Sequence, residues 1–138
     1  MKKTLLQICS VIVLVVLAAA VSAQAQYRAN ITFDFRIDRK IYKAGEYSVG
    51  PVSRISDTKN IVIRDANGRN SYMMLPTISA VARPETAILV FNRYGDSYFL
   101  AEINAPDFSV KLSKSKAEEK LAGGEKPQKE TIELARKN

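Results

Sequence analysis

One stretch constrains the fold more than any other: Thr86–Ile103, which reads TAILVFNRYGDSYFLAEI. Ile88-Leu89-Val90-Phe91 and Tyr98-Phe99-Leu100-Ala101 are unbroken apolar runs, separated by Asn92, Arg93, Tyr94, Gly95, Asp96 and Ser97. The central Gly-Asp pair suits a two-residue type II′ turn, because glycine takes the positive φ of the first turn position without a steric penalty. A loop of that length sets Arg93 opposite Tyr98, Phe91 opposite Leu100 and Ile88 opposite Ile103. Strands that are apolar on both faces belong inside a sheet covered on both sides. The hairpin is therefore expected as the central pair of its sheet.

The rest of the chain up to Leu112 reads as further strands. Asn30–Asp38 (NITFDFRID) alternates with period two: Ile31, Phe33, Phe35 and Ile37 share one face, and Thr32, Asp34, Arg36 and Asp38 share the other. That is the pattern of a half-buried antiparallel strand. Asp38-Arg39-Lys40 is a turn, Ile41-Tyr42 a short strand and Lys43-Ala44-Gly45 a second turn. Glu46–Val49 is a strand ended by Gly50-Pro51, and Val52–Ser56 is a weak strand followed by the turn residues Asp57-Thr58-Lys59-Asn60. Asn67-Gly68 joins Ile61–Arg64 to Ser71–Leu75 as a hairpin. Thr77–Ala82 lies between breaks at Pro76 and Arg83-Pro84-Glu85, and Phe108, Val110 and Leu112 give one face to a last strand. No helical period intervenes. About eight or nine short strands at this spacing specify an all-β domain over residues 26–112, an antiparallel β-sandwich or a small open barrel.

Both ends differ from that body. Lys2 and Lys3 precede the apolar run Val11–Ala20 and the small residues Ser22, Ala23 and Ala25. This is the layout of a signal peptide over residues 1–25, cleaved after Ala23 or Ala25, and it implies a periplasmic or secreted protein. Gln7 and Ser10 keep the apolar run short of the about 20 residues of a spanning helix, so membrane contact is expected only through this segment if it stays uncleaved. At the other end, residues 113–138 form a charged C-terminal tail. Ser115-Lys116-Ala117-Glu118 matches a capping box, giving a short helix over 116–122 that stops at Gly123-Gly124. Beyond Gly123 the composition favours a solvated, disordered tail; the other reading is a helical turn or two from Pro127 through Ile132 and Leu134.

Composition removes several chemistries. The chain has no histidine, and its single cysteine, Cys9, lies inside the leader. His-dependent triads, thiol nucleophiles and His- or thiolate-ligated metals are excluded from the exported part, and no cofactor is expected. The formal charge of +7 drops when Lys2 and Lys3 leave, with 19 of the 21 basic residues remaining against 14 acidic ones. That excess is interleaved with acids rather than gathered into a stripe, which argues against a nucleic-acid partner. Asp34 and Asp38 share the wet face of a strand and are candidates for carboxylate hydrolysis; a solvated face explains them more simply. Asp65-Ala66-Asn67-Gly68 is a turn rather than a calcium loop. Loops on a rigid β-scaffold are where binding concentrates, so the candidate binding residues are those at the hairpin tip: Arg93, Tyr94, Asp96 and Tyr98. Their structural alternative is that the tyrosines cover the sheet end while Arg93 pairs with Asp96.

NITFDFRID, KAGEYSVGP, FNRYGDSYFLAEI and LSKSKAEEKLA together resemble an uncharacterised group of small exported bacterial β-proteins. Their pattern runs through an F-D-F strand, P-A-G-E-Y-x-V, F-H-R-Y-G-D-x-Y-F-L and L-x-K-S-x-x-E. Lys43 stands where the pattern has proline, and Asn92 where it has histidine. The resemblance implies export and a β fold; no activity is known for the group. The expectation is therefore an exported, non-enzymatic β-domain, a binding or envelope-associated module whose partner is an envelope component, a glycan or a protein. A carbohydrate-binding protein or a small-ligand carrier is the alternative.

Overall fold

The computed structural model describes residues 26–52, 60–76 and 84–137. The leader, the expected strand beyond Val52 with the turn residues Asp57-Thr58-Lys59, and the Thr77–Ala82 strand lie outside the described residues. The described strands are β1 (Gln26–Ile31), β2 (Phe35–Ile37), β3 (Lys40–Tyr42), β4 (Gly45–Pro51), β5 (Ile61–Asp65), β6 (Ser71–Met74), β7 (Ile88–Tyr94), β8 (Ser97–Asn104), β9 (Ser109–Lys111), β10 (Gln128–Glu133) and β11 (Ala135–Lys137). Among the described residues one helix, α1 (Lys116–Ala122), lies between β9 and β10.

The strands form a sandwich of two sheets. Sheet A has the order β11-β1-β4-β5-β6, and sheet B the order β10-β7-β8-β2-β3, with β9 also on β8. All pairs are antiparallel except β2 with β8, which meet in parallel at Arg36 and Phe99. One apolar cluster joins the sheets, with Tyr27, Ile31, Tyr47, Val49, Ile61 and Ile63 from sheet A facing Phe35, Leu89, Phe91, Leu100 and Ile103 from sheet B. Phe35 sits at its centre, stacked on Tyr42 and edge-on to Tyr47 and Phe91.

The β7–β8 hairpin is interior to sheet B, as its two-faced apolar runs require. Gly95 takes φ 60 in a two-residue turn between the paired Tyr94 and Ser97. Arg93 faces Tyr98 and Phe91 faces Leu100, but the expected pairing of Ile88 with Ile103 does not hold. A β-bulge at Ala101 shifts the register, so Leu89 faces Ile103 and Ile88 faces Asn104. The carbonyl of the extra residue is still satisfied, since Leu112 N–H donates to Ala101 O at 2.8 Å.

Three other expectations are corrected. NITFDFRID is two strands, not one: β1 ends at Ile31 in sheet A, and the chain crosses to sheet B before β2 begins at Phe35. β4 runs through Gly50 to Pro51. Proline is tolerated there because the β1 ladder has already ended at Val49, leaving that side of β4 with no donor to supply. The chain after Gly123 is no disordered tail, and the β-domain extends past Leu112 to Lys137. β10 adds to the edge of β7 and β11 to the edge of β1. Leu134, buried between them, donates its N–H to the Ala87 carbonyl at 2.8 Å. The charged composition reflects edge position: outer strands keep lysines and glutamates on their wet sides, while Ile132 and Leu134 turn inward.

Candidate functional site

The hairpin alternation decides what its tip residues touch. On the face toward sheet A, the Tyr98 ring stacks on Phe33 at 3.8 Å, with the Arg93 guanidinium 5.4 Å from its centroid. Arg93 does not pair with Asp96. Its Nε donates to the Gly95 carbonyl at 2.8 Å, and its guanidinium lies 4.0 Å from Glu130. The stack of Arg93, Tyr98 and Phe33 closes this end of the sandwich. Tyr94 is on the opposite face, and Asp96 is exposed in the turn. The four candidate residues thus share a hairpin tip but make no common surface.

Tyr94 instead belongs to a polar cluster on the outer face of sheet B, where Val90, Phe99 and Ala101 are also buried. Asn92, in the otherwise apolar middle of β7, is 5% exposed, and Glu118 of α1 is 4% exposed. Glu118 Oε1 accepts from Asn92 Nδ2 at 2.7 Å and from the Tyr94 hydroxyl at 3.0 Å. Lys129 Nζ of β10 donates to Asn92 Oδ1 at 2.6 Å. Burial pushes the Tyr94 hydroxyl up to about 12, with the Glu118 hydrogen bond and charge adding to the effect. Asn92 thus bridges the helix to the C-terminal strand across the back of the hairpin.

The capping box explains how Glu118 comes to be here. Ser115 Oγ accepts from the Glu118 N–H at 3.1 Å and fixes the start of α1. The Glu118 side chain does not reach back to the cap; it turns down onto the sheet. Two of the strings quoted above, FNRYGD and KSKAE, therefore meet in space. Sequence reasoning passed over Asn92, Glu118 and Lys129. The available signal was Asn92 itself, a polar side chain inside a two-faced apolar strand, which must find a partner. Chemically, the cluster holds its donors and acceptors against one another, with Asn92 and Glu118 buried beneath the helix.

Asp34 and Asp38 serve separate turns. The Asp34 carboxylate accepts from Ala44 N–H at 2.8 Å and from Lys43 Nζ at 3.2 Å, tying the sheet-to-sheet crossing to the β3–β4 turn. Asp38 opens the two-residue β2–β3 turn at φ 55, a left-handed conformation that aspartate tolerates. The Ala44 hydrogen bond, then Lys43, holds the Asp34 carboxyl below its ordinary 3.8. A depressed carboxyl contributes stability above its ordinary pKa and loses it as pH falls through the lowered value. Asp34→Asn should therefore flatten the fall in melting temperature as pH drops through and below 3.8; an unchanged acid limb would remove Asp34 from this role. Among the described residues, no group of three or more His, Cys, Asp and Glu side chains could hold a metal ion.

Among the described residues, no helix lies over the outer face of sheet A. Its register aligns Ala135, Arg28, Ser48, Arg64 and Ser71 in one row across the strands, with Gln26 and Lys137 paired beside it. Two shallow clefts of about 330 and 250 Å³ share Gln26, Ser48, Arg64 and Lys137. Glu46, 3.6 Å from Arg28, and Asp65 are acids lining the larger of the two. Comparison with protein-family models, with curated proteins and with solved structures finds no match for this chain.

Proposed function

We propose that the chain is an exported, non-enzymatic binding module of the cell envelope, delivered by the leader at residues 1–25, and that its ligand is an anionic polymer, an acidic glycan fitting best. The observation that carries this reading is the unequal covering of the two sheets. α1 lies over the outer face of sheet B, whereas among the described residues no helix covers the outer face of sheet A, which carries Arg28, Arg64 and Lys137 around serine hydroxyls. Arg28 and Arg64 flank β4, so they stand about 10 Å apart, two strand spacings. Guanidinium groups bind carboxylates in two-pronged fashion, and hydroxyls between them suit the remaining oxygens of an acidic sugar.

A neutral-sugar platform built on Tyr94 and Tyr98 has less support, because the two rings lie on opposite faces and are engaged with Glu118 and Phe33. The carrier reading has less support too, since the space between the sheets is filled by one continuous side-chain cluster. The test is retention on acidic and neutral polysaccharides at low salt. Arg28→Gln and Arg64→Gln should each weaken binding to the acidic polymer about fivefold, an exposed charge contact being worth about 1 kcal/mol. Added salt should do the same. Binding indifferent to salt and to both substitutions would contradict the proposal.

A further inference from the structure

The segment Gln128–Lys137 completes both sheets with one short piece of chain, β10 along the edge of β7 and β11 along the edge of β1. Its anchors are few and well defined. Leu134 is 4% exposed and Ile132 half-buried, Leu134 N–H reaches the Ala87 carbonyl, Lys129 reaches Asn92, and Glu130 approaches Arg93. Every receiving group belongs to the body of the domain. The connector from α1 runs Gly123–Pro127 and begins with two glycines at φ 55 and 88.

We propose that this segment exchanges between two copies of the chain: residues 128–137 of each copy occupy the edges of β7 and β1 on the other, closing a two-fold dimer. The contacts in the dimer are the same as in the single chain, so the balance between the two forms rests on the connector and on association alone. Opening the segment withdraws two apolar side chains and the edge hydrogen bonds of β10 and β11, so exchange takes place as the chain refolds and not from the folded single chain. Gly123 and Gly124 take an extended conformation as readily as the turn they form here, so the connector can cross to a neighbour. A short tether sets an effective concentration on the order of millimolar. Exchange is therefore expected when the chain refolds at high concentration, and the dimer then reverts only by opening again.

The test uses two variants of the full chain, each also carrying Cys9→Ser: Val90→Cys and Thr131→Cys, whose positions face each other across β7 and β10. The two are unfolded together, refolded at high concentration and oxidised. The proposal expects a product of twice the chain mass that links position 90 of one variant to position 131 of the other. A second measurement does not depend on those cysteines. Deleting Glu125 and Lys126 shortens the connector and should shift the chain to a dimer on size exclusion while preserving its melting temperature. A chain that stays monomeric at every refolding concentration, with no 90–131 link and with a shortened connector that only lowers stability, would overturn it.

Discussion

Replacing Leu134 by alanine lowers the melting temperature by on the order of 10–15 °C, and ending the chain at Gly124 abolishes the cooperative transition. Leu134 is 4% exposed in a slot formed where the chain passes from one sheet to the other. Truncating a buried leucine costs about 3 kcal/mol, and for a domain of this size each kcal/mol moves the midpoint by about 4 °C or more. Ending the chain at Gly124 does more. It removes the same anchor, strips the β7 and β1 edges of their ladders, and leaves Asn92 Oδ1 without Lys129. Those losses fall on a total stability of about 5–15 kcal/mol. Thermal melts followed by circular dichroism decide the matter. A truncated chain that melts where the intact one does would mean that residues 125–138 are an appendage.

The second large effect is expected at Glu118. Glu118→Ala leaves the buried Asn92 Nδ2 and the part-buried Tyr94 hydroxyl without their acceptor. Each stranded group costs about 1–3 kcal/mol, so a loss of about 3 kcal/mol is expected. The sign of a second change separates this account from simple loss of packing. Replacing both partners by apolar groups of similar shape can be nearly neutral. Glu118→Leu combined with Asn92→Leu should therefore cost at least about 1 kcal/mol less than the sum of the two single changes in urea denaturation. Additive losses would mean that the helix is held by its apolar contacts and that the hydrogen bonds contribute nothing specific.

What could be read from the sequence follows from what periodicity encodes. Alternation reports which side chains are buried, and it did so correctly through Ile31, Phe35 and Ile37. It carries no information about which strand supplies the hydrogen-bond partner, so the crossing between sheets at Thr32–Asp34 left the pattern undisturbed and invisible. The bulge at Ala101 was hidden for the same reason: an alanine fits either side of an apolar run. The all-β class and the interior hairpin were legible because two-faced apolar strands have few places to go, whereas the choice between sandwich and open barrel was not. The C-terminal strands were not, because an edge strand with charged outer positions has the composition of a solvated tail, and only Ile132 and Leu134 mark its inner side. The candidate site was half legible. The hairpin tip was located, but alternation sends Tyr94 and Tyr98 to opposite faces. The capping-box reading of Glu118 gave its backbone role and concealed where its side chain goes.

The most direct measurement is hydrogen exchange at individual amides along residues 123–137. If residues 128–137 form a strand of each sheet, the ladder amides of β10 and the Leu134 N–H exchange far more slowly than in a free peptide, while Gly124 in the preceding turn exchanges fast. Exchange of the Leu134 amide at the free-peptide rate would contradict the whole account of how the sandwich is closed.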